Sequence, residues 1–495
     1  MKAIIFRACT IYLLMGAPAF PQEFTVQQED VKGDEPDYSP YVDRNIPDWV
    51  FFGDTHHHTS NSPDAGLVGN TLGPDIAYRF ARGEEVTSST GLRVKLNRPL
   101  DFLVVSDHAE YLGLPVMLRT GDPALLADAT GRRWQEMYNA GGEEAYNLFI
   151  ELVGSATQRN QLIKTESVTR SVWERFTATA EEFNDPGTFT AFIGFEWSSL
   201  PDARNLHRVV MFRDGADRAN QVLPYSLFDS EDPEDLWKYL ADYEAKTGGQ
   251  ILAMPHNGNW SNGLMFDPKT LAGEPIDRAY AEARIRWEPV YEVTQIKGDG
   301  EAHPFLSPED EFADFENWDK GNVNGSVAKE DWMLKYEYGR SALKLGLKLE
   351  EDLGVNPYKF GLIGSTDTHT SIAATREENY FGKFAATEPS PERYKHYVIR
   401  SDVDESLSTF SKEEVASGLA AVWARENTRE ALFDAFKRKE VYATTGSRIL
   451  VRVFGGWDCA DDEVERPDFA DEGYARGVPM GGDLTSAPAG KAPSF

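Results

Sequence analysis

The stretch FFGDTHHHTSNSPDAG, residues 51–66, places three consecutive histidines between two aspartates. The apolar run at 49–52 that leads into it predicts a short strand entering a core. Side chains alternate along an extended chain, so we expect His56 and His58 on one side of the strand and His57 on the other. Two imidazoles on one face can form half of a metal site, which His57 would not join. On this stretch alone, ordinary core or surface histidines remain the alternative.

Length and composition restrict the class of protein. The chain has 495 residues, enough for more than one ordinary domain or for one large α/β barrel with insertions. Hydrophobic residues make up 41% of it and aromatic residues 12%, which is sufficient for a sizeable core. The 81 acidic residues against 50 basic ones give a formal charge of −31, which argues against electrostatic binding to nucleic acid or to an anionic membrane.

The first residues predict an export signal. Lys2 and Arg7 precede an apolar stretch that ends in a small-residue cleavage pattern at Ala19. We therefore expect a periplasmic or extracellular protein with no stable membrane association after cleavage; an uncleaved anchor is the alternative. Cleavage would remove Cys9 and leave Cys459 alone, which excludes an intrachain disulfide.

Apolar segments alternate with helical segments along the rest of the chain, which is typical of an α/β fold with a mainly parallel sheet. Strands are predicted at 49–52, 102–105, 189–195, 209–212, 251–254, 290–294 and 360–363. Helices are predicted at 141–153, 165–183, 235–247 and 429–439. The long helical stretch between the second and third of these strands is expected to be an insertion in a barrel.

Histidines and acidic residues cluster where the predicted strands end. Six of the eight histidines other than His57 fall at or just after such ends: His56, His58, His108, His207, His256 and His369. Glu196 and Asp367 follow two of the same strands. Because the loops after the carboxyl ends of barrel strands form the active-site face, this pattern predicts a metal site.

The ordered set of motifs resembles the polymerase and histidinol phosphatase (PHP) family of metallohydrolases. The set consists of DTHHHT at 54–59, SPD at 62–64, SDH at 106–108, GFE at 194–196, His256 and DTH at 367–369. The sequence between the motifs is similar to that of the DUF3604 family. The similar segments are EVTQIKGDGEAHPFLSPEDEFADFE at 292–316, GSTDTHT at 364–370, EENYFGK at 377–383 and EVYATTGSRI at 440–449.

The resemblance to the PHP family implies a distorted (β/α)7 barrel with a trinuclear metal site at its C-terminal face. The chain then divides into a signal peptide at 1–19, an extended arm at 20–48, the barrel at 49–455 with an insertion at about 112–188, and an incomplete C-terminal segment at 456–495.

Carried over residue by residue, the resemblance implies nine ligands for two or three divalent ions. The first ion would be held by His56, His58, Glu196 and Asp367, the second by Glu196, His207 and His256, and the third by Asp64, His108 and His369. Glu196 would thus bridge the first and second ions. A histidine packed under the insertion is the alternative for His207.

Ligand type restricts the metal and its chemistry. Histidine and carboxylate ligands suit Zn, Mn or Fe, and no sulfur ligand lies near the motifs. Such a cluster can lower the pKa of a water molecule and stabilise charge during phosphoryl transfer, with Glu196, Asp367 and His256 as the predicted catalytic residues. Asp54 and Asp107 adjoin ligands and are predicted to orient imidazoles by hydrogen bonds.

A metal cluster that binds phosphate needs fixed cations around it. Lys297, Arg208 and Arg376 are predicted to bind the substrate, and Arg448 is a further candidate. A solvated surface position is the alternative for each of them. His303 could line the pocket or donate a proton, but a surface loop position is an equal alternative.

These observations predict an exported, metal-dependent hydrolase that uses a metal-bound hydroxide on a small-molecule phosphoester. No GxSxG motif or Gly-rich phosphate loop is present, which disfavours a serine nucleophile or a P-loop mechanism. Hydrolysis of another ester or an amide at the same metal site is one alternative. A secreted binding protein on a degenerate barrel is the other.

Overall fold

The structure, a computed structural model, describes residues 46–495 except 164–165, 388, 416 and 461. The predicted signal peptide at 1–19 lies outside the described residues, as does the predicted arm at 20–48 apart from 46–48. In the described part of the chain, no helix combines the length and the apolar character that crossing a membrane requires.

Strands occur throughout the described residues, and all seven predicted strands overlap with observed ones. In chain order the strands are β1 (Trp49–His57), β2 (Val86–Thr87), β3 (Arg93–Val94), β4 (Phe102–Val105), β5 (Thr190–Trp197), β6 (Arg208–Phe212), β7 (Ile251–Pro255), β8 (Val290–Gln295), β9 (Gly298–Asp299), β10 (Gly361–Gly364), β11 (Tyr397–Ile399), β12 (Thr409–Phe410), β13 (Leu419–Ala424), β14 (Val441–Thr444), β15 (Phe454–Gly455) and β16 (Val478–Pro479). Neither β13 nor β14 was among the predicted strands.

The α-helices are, in chain order, α1 (Pro63–Gly66), α2 (Pro74–Ala81), α3 (Leu114–Thr120), α4 (Pro123–Ala127), α5 (Ala129–Ala140), α6 (Gly142–Thr157), α7 (Glu166–Phe183), α8 (Ala216–Ala219), α9 (Pro233–Thr247), α10 (Arg278–Trp287), α11 (Asp331–Leu334), α12 (Gly339–Leu353), α13 (Arg429–Lys437) and α14 (Phe469–Arg476). Short 3-10 helices lie at Pro201–Ala203, Gly258–Trp260, Glu377–Asn379, Arg393–Lys395, Glu405–Leu407, Ser411–Glu413 and Glu463–Glu465.

Local signals set the ends of α9. The side chain of Asp232 accepts a hydrogen bond of 2.9 Å from the backbone N–H of Glu234 and so caps the N-terminus. Pro233 occupies the first helical position, where no backbone donor is needed. Gly248 ends the helix in the left-handed region, with φ 67°.

A seven-stranded sheet in the order β14-β13-β1-β4-β5-β6-β7 forms the centre of the fold. The pairs β1–β4 and β4–β5 are parallel, whereas the other four neighbouring pairs are antiparallel. The prediction of a mainly parallel sheet is therefore wrong for this sheet. One reason is that β5 and β6 are joined only by residues 198–207, and a parallel crossover takes about a dozen residues or more.

A three-stranded sheet, β10-β8-β9, adjoins both edges of the main sheet: β8 contacts β7 and β10 contacts β14. The main sheet therefore curls, and strands of both sheets enclose a common core. Phe102, Phe192, Leu252 and Val290 come from four strands and pack there with Phe436 of α13. The fold is mixed α/β with a curled half-barrel sheet; a regular (β/α)7 barrel stays a prediction.

Helices cover the outer face of the main sheet. Trp173 of α7 and Leu240 of α9 pack there with Leu103 and Phe212, and burial of each such side chain contributes about 1.5–3 kcal/mol. The region 112–188, predicted as an insertion, contains α3 to α7. The region 456–495, predicted as an incomplete segment, contains α14 and β16.

Candidate metal centre

Side-chain alternation along the strands brings the predicted ligands to one end of the inner face. In β5, Phe192 faces the enclosed core and Glu196 follows four residues later. In β7, Met254 faces the same core and His256 follows two residues later. Even spacing keeps a side chain on the same face of a strand, so Glu196 and His256 both project inward beyond the apolar core. His108, His207 and Asp367 lie in the segments that adjoin β4, β6 and β10 at this same end.

The strand β1 reaches this end of the core through an irregularity. Its pairing with β4 shifts register between Asp54 and His57. His56 and His58 are fully buried and belong to the cluster, whereas His57 is in none of the candidate metal groups found among the described residues. The Nδ1 of His57 lies 3.4 Å from Asp54 instead. The predicted separation of His57 from its two neighbours is confirmed, although the strand is not regularly extended.

The four side chains predicted to hold the first ion have closely matched separations. His56 Nε2 and His58 Nε2 are 3.2 Å apart. Glu196 Oε2 lies 3.3 Å from the first of these nitrogens and 3.2 Å from the second. Asp367 Oδ1 lies 3.4 Å and 3.3 Å from the same two nitrogens. With metal–ligand bonds of about 2.0–2.1 Å, the edge of a tetrahedron is about 3.3 Å, which these five separations match. His56, His58 and Asp367 also form a candidate metal group.

Glu196 presents its two carboxylate oxygens to different histidines. Oε1 lies 2.7 Å from Nδ1 of His207 and 2.8 Å from Nε2 of His256. Oε2 faces His56 and His58, and it also lies 3.3 Å from Nδ1 of His108. One carboxylate is thus shared between two sets of potential ligands.

The third predicted set is also brought together. Asp64 Oδ2 lies 3.0 Å from Nε2 of His108 and 2.6 Å from Nε2 of His369. His58 joins these three in a group whose candidate ligand atoms lie within 4.8 Å of one another. Ser62 links this group internally, because its hydroxyl donates to Asp64 at 2.8 Å and lies 3.0 Å from Nδ1 of His58.

The second predicted set meets at one oxygen, because His207 and His256 both lie within hydrogen-bond distance of Glu196 Oε1. His207 and Glu196 also form a candidate metal group with His108, and His256 forms one with His56 and Glu292. All nine predicted ligands therefore lie in one continuous cluster, and its candidate groups share residues.

Three carboxylates of the cluster, those of Glu196, Asp367 and Asp64, are anionic near neutral pH. Burial would raise the pKa of Glu196, but the surrounding histidines hold it well below its ordinary value. Burial would also raise the pKa of Asp367, which Lys297 and Lys383 lower well below its ordinary value. The pKa of Asp64 is likewise low, because the neighbouring histidines outweigh burial. Anionic carboxylates are the form that binds a cation.

The histidines differ in their protonation. Burial lowers the pKa of His207 to about 4 and that of His369 to about 3, so both are neutral near neutral pH and have a free lone pair. Burial also lowers the pKa of His256. His108 is the opposite case, since Asp64 and Glu196 outweigh burial and raise its pKa to about 10. Binding of an ion by this imidazole would therefore release a proton.

Asp367 has a strained backbone and an unsatisfied oxygen. Its φ of 52° lies in the left-handed region, which costs a non-glycine residue about 1–3 kcal/mol. Its backbone N–H donates to the carbonyl of His56 at 2.8 Å, which ties the loop after β10 to β1. Its Oδ1 is buried and accepts no hydrogen bond from the described residues. Buried oxygens are normally paired, so Oδ1 fits the role of a metal ligand.

Asp54 and Asp107 accept hydrogen bonds mainly from the loops around the cluster, and the imidazole that Asp54 contacts is that of His57, outside the candidate metal groups. Asp54 accepts hydrogen bonds from the backbone N–H of His56 at 3.1 Å and of Thr366 at 2.9 Å. Asp107 accepts from the N–H of Thr59 at 2.5 Å and from its hydroxyl at 2.6 Å. Both carboxylates therefore fix the loops that present the cluster.

Of the three cations predicted to bind substrate, one lies at the cluster. Lys297 Nζ contacts Asp367 and lies 5.4 Å from the centre of the Trp260 ring. Arg208 is buried and paired with Glu288 at 3.0 Å, so its charge is compensated within the fold. The structure places this guanidinium away from the cluster, contrary to prediction.

Three further candidates from the sequence also lie apart from the cluster: Arg376, Arg448 and His303. Arg376 has a side chain that is 62% exposed and paired with Glu378. Arg448 donates to the carbonyl of Arg98 at 3.1 Å. His303 lies 3.0 Å from Asp319 and accepts a hydrogen bond from a backbone N–H within its own loop. These contacts are those of residues that stabilise loops, so substrate binding by Arg376 is also corrected.

Two residues of the cluster were missed in the sequence. Lys383 is buried, with Nζ 3.0 Å from Nδ1 of His369 and 3.5 Å from Asp367. Glu292 is buried, with Oε2 3.2 Å from Nδ1 of His56. A signal for Glu292 exists: it stands two residues after Val290 in a predicted strand, so alternation places both side chains on the face that borders the enclosed core.

The fold and the site define a mixed α/β protein with a buried cluster of histidines and carboxylates whose geometry can hold metal ions. The model of the family described as "Protein of unknown function (DUF3604)" matches residues 45–495. The chain therefore belongs to the DUF3604 family.

Other comparisons add little. No curated protein matches the chain. A crystal structure from Bacteroides vulgatus, of a two-domain protein containing a predicted PHP-like metal-dependent phosphoesterase, is similar over 81% of this chain and 67% of its own length. The two share 12% sequence identity with a TM-score of 0.33. A likeness this distant does not support an argument about the fold or the function of this chain.

Proposed function

We propose that this chain is a metal-dependent hydrolase of phosphoesters, with a multinuclear site related to that of the PHP metallohydrolases. The main support is the spacing of His56 Nε2, His58 Nε2, Glu196 Oε2 and Asp367 Oδ1. Glu196 and Asp367 each lie 3.2–3.4 Å from the two histidine nitrogens, which is the spacing of ligands around one ion. The order of the motifs in the sequence supports the relation to PHP enzymes.

When bound, divalent ions would activate a water molecule and polarise a phosphoryl oxygen. Glu196 offers one oxygen to each of two histidine sets and so fixes the distance between them. Asp54 and Asp107 hold the loops that carry the ligands, so the cluster is preorganised by hydrogen bonds rather than assembled on binding.

The accessible side of the cluster indicates where a substrate would bind. The side chain of Asp64 is 27% exposed, that of His108 13% and that of His207 11%. Lys297 is 10% exposed, whereas Asp367 behind it is fully buried. A substrate therefore reaches the cluster beside an ammonium group, which favours an anionic substrate such as a phosphoester over a neutral ester or amide.

The test is turnover of a chromogenic phosphomonoester by the chain stripped with a chelator and then reloaded with Zn, Mn or Fe separately. We expect loss of turnover on stripping and recovery with at least one metal. A chromogenic carboxyl ester assayed in parallel distinguishes the substrate classes. Hydrolysis of the carboxyl ester alone would contradict the phosphoester proposal, and turnover unaffected by stripping would contradict the metal site.

We also propose export of the protein, on the pattern of residues 1–19 alone. Fractionation of cells that express the full chain, followed by N-terminal sequencing, tests this. Export predicts a mature chain that begins just after Ala19 in the periplasm or the medium. An intact N-terminus in the cytoplasmic fraction would contradict it.

A further inference from the structure

Glu292 is the carboxylate of the cluster that neither the motifs nor the predicted ligand sets include. It lies in β8, on the inner face of the enclosed core, and is almost fully buried. Its Oε1 lies 3.3 Å and its Oε2 3.2 Å from Nδ1 of His56. Both oxygens thus face the same imidazole nitrogen.

The two nitrogens of His56 face opposite kinds of partner. Nδ1 faces Glu292, and a carboxylate can only accept, so Nδ1 carries the proton and donates it. Nε2 points to Glu196 and Asp367, the potential ligands of the first ion, and a bound ion would replace any proton on this nitrogen. This is the arrangement in which a carboxylate fixes the tautomer and the orientation of a metal-binding histidine.

We propose that Glu292 is a positioning residue, not a ligand: it holds His56 with Nε2 directed at the first ion. The inference rests on the proposed metal site but not on the identity of the substrate. In the contrary role, Glu292 would bind an ion together with His56 and His256, with which it forms a candidate metal group. Both oxygens of Glu292 lie within hydrogen-bond distance of Nδ1 of His56, which favours the positioning role.

The position of Glu292 is itself fixed. Gln295, on the same strand, donates from Nε2 to Glu292 Oε1 at 3.1 Å and to the side-chain oxygen of Asn257 at 2.8 Å. Asn257 directly follows His256 and has a φ of 51°, a conformation that asparagine tolerates better than most residues. A single amide therefore links the end of β7 to the carboxylate that orients His56.

The test is Zn affinity, measured without substrate by competition with a chromophoric chelator, for the whole chain and for Glu292→Met and Glu292→Gln. Loss of such an orienting partner lowers metal affinity about 10–100-fold. We expect that loss for the methionine variant, at one ion only, with the full number of ions still bound at saturating Zn. The glutamine variant keeps an acceptor oxygen and should lose less, and it serves alone if the methionine variant does not fold.

A matched control separates this role from general destabilisation. Glu337 is also buried, hydrogen-bonds the N–H of Gly263 and Lys329, and is in no candidate metal group of the described residues. Glu337→Gln should lower the melting temperature without changing Zn affinity. Nitrogen NMR of the Zn-loaded wild-type chain should show His56 protonated at Nδ1 alone, a signature that a purely structural Glu292 would not require.

Three outcomes are distinguishable. Wild-type Zn affinity in Glu292→Met would overturn the inference, because the carboxylate would then be dispensable. Loss of one ion even at saturating Zn would also overturn it, because Glu292 would then be a ligand. If the wild-type chain itself binds no Zn, Mn or Fe, the proposed metal site fails and the inference that rests on it is overturned as well.

Discussion

Oε1 of Glu196 lies 2.8 Å from Nε2 of His256, and the other oxygen of the same carboxylate faces a different set of histidines. The two sets come from different strands, and Glu196 is the one carboxylate in the described cluster that contacts both. Because its pKa is held well below the ordinary value, it is anionic at neutral pH and can bind two cations at once. We therefore expect substitution of Glu196 to affect metal binding more than substitution of any other residue in the cluster.

Replacement of Glu196 by glutamine tests the bridge. Glu196→Gln keeps the shape of the side chain but removes its charge and one good ligand oxygen. We expect the loss of at least one ion per chain and a fall in turnover of about 100-fold or more, as when a key electrostatic group is removed. Metal analysis by mass spectrometry, turnover and melting temperature are measured together. Unchanged ion content with a wild-type rate would mean that Glu196 lines the site without binding metal.

The neighbouring histidines provide a matched pair of variants. His58→Ala removes a nitrogen that lies 3.2 Å from both His56 Nε2 and Glu196 Oε2, so we expect loss of bound metal and of activity together. Asp367→Ala should behave in the same way. His57→Ala removes an equally buried imidazole outside the candidate metal groups and should lower the melting temperature while metal is retained. Loss of metal in the His57 variant would contradict the described arrangement of β1.

Much of the cluster was predictable because its signal is local. Glu196 and His256 stand at the ends of predicted apolar strands, and the loops there form the active-site face of a barrel, which is how they were found. Glu292 stands inside its predicted strand, on the same face as Val290, where a charged side chain resembles an exposed position. Local alternation therefore predicts which face a side chain takes better than whether that face is part of a site.

The features that could not be predicted from the sequence depend on contacts between residues far apart in the chain. The partner of Arg208 is Glu288, eighty positions away, and no local pattern relates them. The antiparallel strand β13 pairs with β1 across almost the whole chain, so its direction depends on contacts that alternation does not encode. For the same reason, adjacency to a ligand could not show that Asp107 binds Thr59 instead of an imidazole.

A buried carboxyl outside the cluster predicts how stability depends on pH. Burial and Glu301 raise the pKa of Asp299 to about 7, although it accepts hydrogen bonds from the N–H groups of Glu301 and Ala302. The ordinary value in an unfolded chain is about 3.9, so the folded state binds this proton more tightly. The stabilisation is fully present below about pH 4 and is lost as the pH rises through about 7.

Asp299→Asn removes this titration. Between about pH 5 and pH 8 the wild-type free energy of unfolding should fall by about 2–3 kcal/mol relative to that of the variant. Urea unfolding of both chains at each pH measures the difference. Parallel pH profiles for the two chains would show that Asp299 does not titrate in this range.

Lys297 and Arg376 test which cation meets the substrate. Lys297 Nζ contacts Asp367 beside the accessible ligands, whereas the guanidinium of Arg376 is exposed and paired with Glu378. Hydrogen bonds to charged groups contribute about 1.5–3 kcal/mol, so Lys297→Met should raise KM for a phosphoester about 10-fold or more. Arg376→Ala should leave KM unchanged.

Ion content must be followed in the same samples, because Lys297 also neutralises Asp367 and so opposes the binding of a cation there. Its removal should therefore leave the number of bound ions unchanged or tighten their binding, while substrate binding weakens. Loss of folding would weaken the binding of both metal and substrate, so it cannot explain these opposite effects. An unchanged KM in Lys297→Met, or an increase confined to Arg376→Ala, would place the substrate on the other side of the cluster.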